Sequence, residues 1–341
     1  MANFMVYTLR STPMEMNFNS EIPRRSFLRR AAASVAALVV AGGLVACSAE
    51  DTSSGSTSSD GKALTVFATT GYIGDAVKNV APDADVTIMV GPGGDPHTYQ
   101  PTTQDISKIQ EADVVLWTGL HMEAQMIDQL EAQGDRQYAV GEAIPKEDLL
   151  DWPELGEGGE KLYDPHIWNS TSNWKYVVDG IADKLGKVDS ANADTYKQNA
   201  EKYSKEIDEA AEYVEKQINA IPEDKRILIT GHDAFNYFGK QFGLEIHATD
   251  FVTSESELSA TELTELGNFI VEKKIHTIFQ DNLANPQAIN SLKETVKSKG
   301  WDVVISDKEL YADSLGENAP TDTYIGILKY NADAIREALV G

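Results

Sequence analysis

Few residues in this chain can bind or activate anything. It has six histidines, His97, His121, His166, His232, His247 and His276, and one cysteine, Cys47. Two of the histidines share a setting, Asp95-Pro96-His97 and Asp164-Pro165-His166. Proline fixes its own φ and pushes the preceding residue toward an extended shape, so the tripeptide is a stiff mount for an imidazole. The aspartate can brace the loop or take the second ring nitrogen, as metal-bound histidines require. Asp-Pro is also ordinary turn chemistry that leaves a histidine in solvent. His232 lies in Ile229-Thr230-Gly231-His232-Asp233, which reads as a strand end followed by a helix start. There Asp233 could equally be the working residue, as a helix cap. Asp313 stands in a loop, Leu310-Tyr311-Ala312-Asp313-Ser314-Leu315-Gly316. Three imidazoles and one carboxylate suit a borderline cation such as zinc, and the hard carboxylate admits manganese. No HExxH, P-loop, GxGxxG, GxSxG or Cys-x-x-Cys pattern occurs, and no spacing supports a nucleophile triad.

The elements around these residues read as an α/β fold. Short runs rich in β-branched residues at 64–68, 86–90 and 114–117 alternate with helical stretches at 75–80, 103–112 and 122–132. That pattern predicts βαβ units and a parallel sheet. His97 follows Gly91-Pro92-Gly93-Gly94 after a strand, and loops at strand carboxyl ends are where parallel sheets bind ligands. The style repeats with strands at 227–230, 277–279 and 303–305 and helices near 233–242, 262–272 and 288–299. Between the halves, Tyr196, Ala200, Tyr203, Ile207, Ala210, Val214, Ile218 and Ile221 form one helical face. Asp189 or Ser190 can cap this helix and Pro222 stops it. About 30 residues at ~1.5 Å each would span a domain. The expected organisation is two lobes, 63–188 and 222–341, with parallel β-sheets flanked by helices and joined by one long helix, 189–221. A long helix packed within a single domain is the other possibility.

Charge and the N-terminal segment bear on partners. There are 29 basic and 54 acidic residues, net −25; residues 1–46 hold five Arg and two Glu, so the remainder carries 24 against 52, or −28. Such a surface repels phosphate backbones and anionic lipid, which argues against nucleic acid and direct membrane-surface binding. Residues 31–46 form an uncharged apolar run of 16 behind Arg24, Arg25, Arg29 and Arg30. The run is too short for a spanning helix and has the layout of a secretory signal. It ends Leu44-Val45-Ala46-Cys47, which resembles a bacterial lipobox with Cys47 as the lipidated mature N-terminus. Arg24-Arg25-Ser26-Phe27-Leu28-Arg29 resembles a twin-arginine export motif as much as an ordinary basic segment. Met14 or Met16 would give a signal of more usual length. Residues 47–62, dominated by Ser, Gly, Thr and Asp, read as a flexible tether.

Five stretches together resemble a known family. They are 91–101 (GPGGDPHTYQP), 120–126 (LHMEAQM), 163–168 (YDPHIW), 230–238 (TGHDAFNYF) and 310–316 (LYADSLG). All are similar to motifs of the metal-binding receptors of bacterial zinc/manganese ABC importers, in the family's order and over essentially all of 63–341. The resemblance implies two α/β lobes joined by a rigid helix, with one Zn2+ or Mn2+ held in the cleft. It implies His97 and His166 as ligands from the first lobe and His232 and Asp313 from the second. It gives His121 no ligand role, which leaves a helix-start or packing residue; His247 and His276 match no ligand motif. Zinc-dedicated members often carry a His-rich loop, whereas 127–162 has no histidine and includes Glu154, Glu157 and Glu160. Manganese-dedicated members usually have a glutamate where this chain has His232. The implied role is capture rather than catalysis: a monomer, lipid-anchored outside the membrane, passing its ion to a permease. A cell-envelope zinc hydrolase with Asp233 or Glu123 as base, or a surface adhesin, are the alternatives. Lipidation makes one direct prediction: Cys47→Ser shifts the protein from membranes to the soluble fraction, and unchanged partitioning on fractionation would refute the anchor.

Overall fold

A computed structural model describes residues 62–340 apart from 156–158, 160, 251–257 and 283–285. The expected signal (1–46), Cys47, all of the tether but Lys62, and Glu157 and Glu160 lie outside the described residues. Among the described residues no helix is long and apolar enough to cross a membrane.

The first half alternates strand and helix. β1 (Thr65–Ala68), α1 (Gly71–Val80), β2 (Asp85–Ile88), α2 (Thr103–Glu111) and β3 (Val114–Trp117) follow in turn. After α3 (Ile127–Glu131), β4 (Gln137–Ala139) completes an all-parallel sheet of order β2-β1-β3-β4. Thr70 caps α1, and Thr102 with Asp105 forms a capping box on α2. The helix expected over 122–132 is broken into a 3-10 turn, Ala124–Met126, and the short α3. An antiparallel hairpin, β5 (Asp151–Leu155) and β6 (Lys161–Tyr163), leads to the second Asp-Pro-His.

Two long helices join the halves. α4 (Thr171–Val188), for which the sequence offered no expectation, is capped by Ser170 and packs along α5 (Ala193–Asn219). The 27 residues of α5 span ~40 Å. It starts after Asn192 rather than at Asp189 or Ser190. Asp189 instead closes α4, and its carboxylate accepts from Asn192 Nδ2 and Tyr196 OH, both at 2.7 Å. The buried residues of α5 are Tyr196, Ala200, Tyr203, Ile207, Ala210, Val214 and Ile218, the face read from the spacing.

The second half contains β7 (Ile227–His232), α6 (Asn236–Phe242), β8 (Glu245–Asp250), α7 (Ala260–Lys273), β9 (Thr277–Ile278), α8 (Pro286–Ser298), β10 (Val304–Ile305) and α9 (Tyr324–Val340). β7 pairs β8 and β9 pairs β10, all parallel. The Phe279 N–H donates to the Ile229 carbonyl at 2.8 Å and sets β9 beside β7. The architecture is thus α/β, two lobes with parallel strands flanked by helices and one long connecting helix.

Strand alternation divides the core. Val66, Ala68, Val114, Leu116 and Leu228 face a central cluster, while Phe67, Val115 and Trp117 face a second and Ile227 and Ile229 a third. The central cluster runs from β1 through α4 and α5 to α9, so both lobes bury apolar surface in it. At its middle Tyr72 stacks on Trp168, centroids 4.6 Å apart, and meets Tyr324 edge-on at 6.3 Å. The lobes therefore belong to one compact unit. Asp75 of α1 ties three helices together: Tyr203 OH of α5 donates to its Oδ2 at 2.6 Å, and the backbone N–H of Tyr324, opening α9, reaches the same oxygen at 3.4 Å. Burial pushes the Asp75 carboxyl above its ordinary range, against the pull of these donors. Tyr203→Phe leaves that oxygen short of a donor and is expected to cost about 1–3 kcal/mol. Thermal unfolding should show Tm falling by roughly 2–4 °C per kcal/mol; an unchanged Tm would mean that the bond contributes nothing.

Candidate metal centre

The two Asp-Pro-His segments are built alike. Asp95 Oδ1 accepts from the His97 backbone N–H at 2.8 Å, and Asp164 Oδ1 accepts from that of His166 at 3.0 Å. Each aspartate thus closes a turn onto the histidine two residues on. The copies differ at the ring. Asp164 Oδ1 also lies 2.7 Å from His166 Nδ1, which presents Nε2 to the cleft, while Asp95 Oδ2 is used by the Thr98 hydroxyl at 2.8 Å.

His232 is the last residue of β7, not the start of a helix. Its N–H donates to Asp281 Oδ2 at 2.8 Å, and its carbonyl accepts from Thr230 Oγ1 at 2.8 Å, which prolongs the strand. α6 begins only at Asn236, without a side-chain cap from Phe235. Asp313 lies between β10 and α9. The carbonyl before it, Ala312 O, accepts from Tyr72 OH and Trp168 Nε1 of the first lobe, both at 2.8 Å.

The four side chains converge. Ligand atoms of His97, His166, His232 and Asp313 all lie within 4.8 Å of one another, and all four residues are buried. His166 Nε2 is 3.2 Å from His97 Nε2 and 3.1 Å from His232 Nε2. Asp313 oxygens approach the three Nε2 atoms at 3.5, 3.3 and 3.0 Å, for His97, His166 and His232. Ligands ~2.0–2.1 Å from a tetrahedral zinc would stand about 3.3–3.4 Å apart, close to these separations. Asp313 is only 1% exposed, and its oxygens have no hydrogen-bond partner outside the three imidazoles. A buried carboxylate so placed needs a positive charge beside it, on a protonated imidazole or a shared cation.

Electrostatics within the cluster agree. Burial favours neutral Asp313, yet the imidazoles of His166 and His232 hold its carboxyl well below the usual range. Burial pushes His97 down, more than Asp313 raises it. For His232 burial also favours the neutral ring, but Asp313, Asp281 and Asp233 together outweigh it and push the group up to about 10.

The other histidines lie outside the cluster. His121 follows Gly119 and Leu120 in a run of three positive φ values, 75°, 53° and 71°, before the 3-10 turn rather than at a helix start. Glycine takes such a φ freely, whereas Leu120 and His121 are strained there. Glu123 holds the turn: its carboxylate accepts from Thr69 Oγ1 (2.6 Å), Thr118 N (2.8 Å) and Gly119 N (3.1 Å). That occupation leaves Glu123 unsuited to be the base of a hydrolase. The His121 ring packs edge-on to Trp152 at 6.5 Å, in keeping with a packing role. His247 sits on Phe269 beside Glu245, and exposed His276 lies on Trp301. Sequence reasoning missed Asp281 and its neighbour Asn282, whose only signal is the polar run Gln280-Asp281-Asn282 after a short apolar strand.

Comparison with known proteins fits the site. A family model described as zinc-uptake complex component A, periplasmic, matches residues 66–338. This chain belongs to that family. Its relatives include the manganese-binding lipoprotein MntA of Bacillus subtilis (strain 168), 37% identical over 280 residues, 81% of this chain and 90% of MntA. The zinc-binding protein TroA of Treponema pallidum (strain Nichols) is 34% identical over 284 residues, 82% of this chain and 90% of TroA. The solved structure of periplasmic TroA superposes with a TM-score of 0.76 at 33% identity, over 82% of this chain and 99% of that one.

The raised His232 predicts that metal binding at this cluster depends on pH. A proton held up to about 10 must leave before the nitrogen can bind an ion. Binding near pH 7.5 should release about one proton per ion, and apparent affinity should rise about tenfold per pH unit up to that value and fall as pH falls. Calorimetry in buffers of different ionisation enthalpy measures the proton; a heat independent of buffer would contradict the assignment.

Proposed function

We propose that this protein is the extracytoplasmic solute-binding component of an ABC importer for a divalent transition metal, Zn2+ or Mn2+. It takes the ion between its lobes and passes it to a membrane permease. The observation that carries this reading is the group of four buried ligands, His97 and His166 from the first lobe and His232 and Asp313 from the second. Family membership and the names of MntA and TroA point the same way. Three imidazoles and a carboxylate suit zinc, and the two Asp313 oxygens facing the imidazoles also suit manganese. Four protein ligands leave little room for the water that a catalytic zinc keeps, so the reading is capture rather than catalysis. The lobes are taken as 63–188 and 222–341, with 189–221 linking them. Residues 47–62 act as a tether from lipidated Cys47, which keeps the protein on the outer side of the membrane as a monomer.

Metal titration tests this. The purified protein should show one tight site, and Zn2+ should win in direct competition with Mn2+ because its intrinsic affinity for nitrogen ligands is higher. His232→Ala should weaken binding by orders of magnitude, while His121→Ala should leave it unchanged. Equal losses in the two variants would sink the ligand assignment.

A further inference from the structure

The carboxylate of Asp313 faces only the imidazoles of the cluster, so the peptide that carries it is positioned through its neighbours. Both neighbours are held by one side chain. Asn282 Oδ1 accepts from the Ala312 N–H at 3.0 Å. Because a backbone N–H can only donate, this bond fixes which way the amide faces. Its Nδ2 then donates to Ser314 Oγ at 2.6 Å and to the Ser314 carbonyl at 3.2 Å. Ser314 Oγ accepts a second bond, at 3.0 Å, from the N–H of Gly93. Gly93 belongs to the first-lobe loop that two residues later starts Asp95-Pro96-His97. Ser314 is 2% exposed, so water does not substitute for these partners. Asn282 is itself anchored, its N–H donating to the Leu310 carbonyl at 2.8 Å. The adjacent Asp281 holds the backbone of His232. A two-residue segment after β9 thus grips both second-lobe ligands, and one hydroxyl joins it to the loop carrying a first-lobe ligand.

We infer that Asn282 and Ser314 are positioning residues for the metal: they clamp the peptide bearing Asp313 and hold it in register with His97 across the cleft, and so set metal affinity and residence time. The inference rests on the capture reading above. Partners that orient metal ligands from outside the coordination sphere are typically worth about 10–100-fold in affinity. The clamp differs from the usual case in that it acts on the backbone either side of the ligand, because the carboxylate itself is committed to the ion.

Ser314→Ala and Asn282→Ala test it, with Zn2+ for affinity and dissociation rate and Co2+ as a spectroscopic probe of coordination geometry. Each variant should weaken Zn2+ binding about 10–100-fold and speed dissociation. The double variant should be little worse than the poorer single one, because both residues act through one linked set of bonds. The visible Co2+ bands should change shape or intensity, while Tm of the metal-free protein moves by only a few degrees. Zn2+ affinity within twofold of wild type, with an unchanged Co2+ spectrum, would overturn the clamp alone. A lowered Tm with unchanged affinity would do the same and leave the two residues a purely structural role. Absence of a tight site in the unsubstituted protein would overturn the capture reading and the clamp together. If Asn282→Ala fails to fold, Ser314→Ala, which removes a single oxygen atom, carries the test.

Discussion

Everything around the cleft answers to one buried charge. Asp313 is buried, and its oxygens have no hydrogen-bond partner outside the three imidazoles. Removing a carboxylate from water costs several kcal/mol even after relaxation, and only a well-placed positive charge offsets it. Three imidazole nitrogens at 3.0–3.5 Å surround it. They can supply that charge in two ways, by carrying a proton or by sharing a metal ion. The same geometry therefore accounts for the raised His232 and underlies the proposal that a cation replaces its proton.

Holding four ligands from distant parts of the chain in one place demands a stiff frame. Each lobe helps to fix the other's ligand loops. Tyr72 and Trp168 of the first lobe hold the carbonyl beside Asp313. Asn236 of the second lobe donates to Asp164, the aspartate that orients His166. The apolar stripe of α5 and the aromatic group around Tyr72 give both lobes a common core. Close-packed interiors resist continuous deformation, so this shared core stiffens the frame that carries the four residues.

Sites of this kind also depend on what surrounds them. The chain beyond residue 46 is strongly acidic, which concentrates cations of every kind near the surface. On the proposed ligand set, selection among them would rest on nitrogens that disfavour the hard alkaline-earth ions and a carboxylate that admits manganese as well as zinc. Charge draws the ions near, and coordination chemistry decides which one stays.

The sequence by itself determined the kind of element at most positions and the identity of the ligand-type residues. Both follow from short-range rules. Short runs rich in β-branched residues marked the strands, the three-and-four spacing marked the buried face of α5, and proline made the Asp-Pro-His mounts visible. Boundaries were less legible, because the start of α5 depends on which donors claim Asp189 and the end of β7 on a distant carboxylate that accepts from the His232 N–H. α4 and α9 were not read from the sequence, since their buried faces make sense only against α5. Only the tertiary structure decided that His121 stands apart while four other residues meet, and that Asp281, Asn282 and Ser314 serve them. Those relations join residues as far as 221 positions apart. No local propensity encodes them, because they exist only once the shared core has brought the two lobes together.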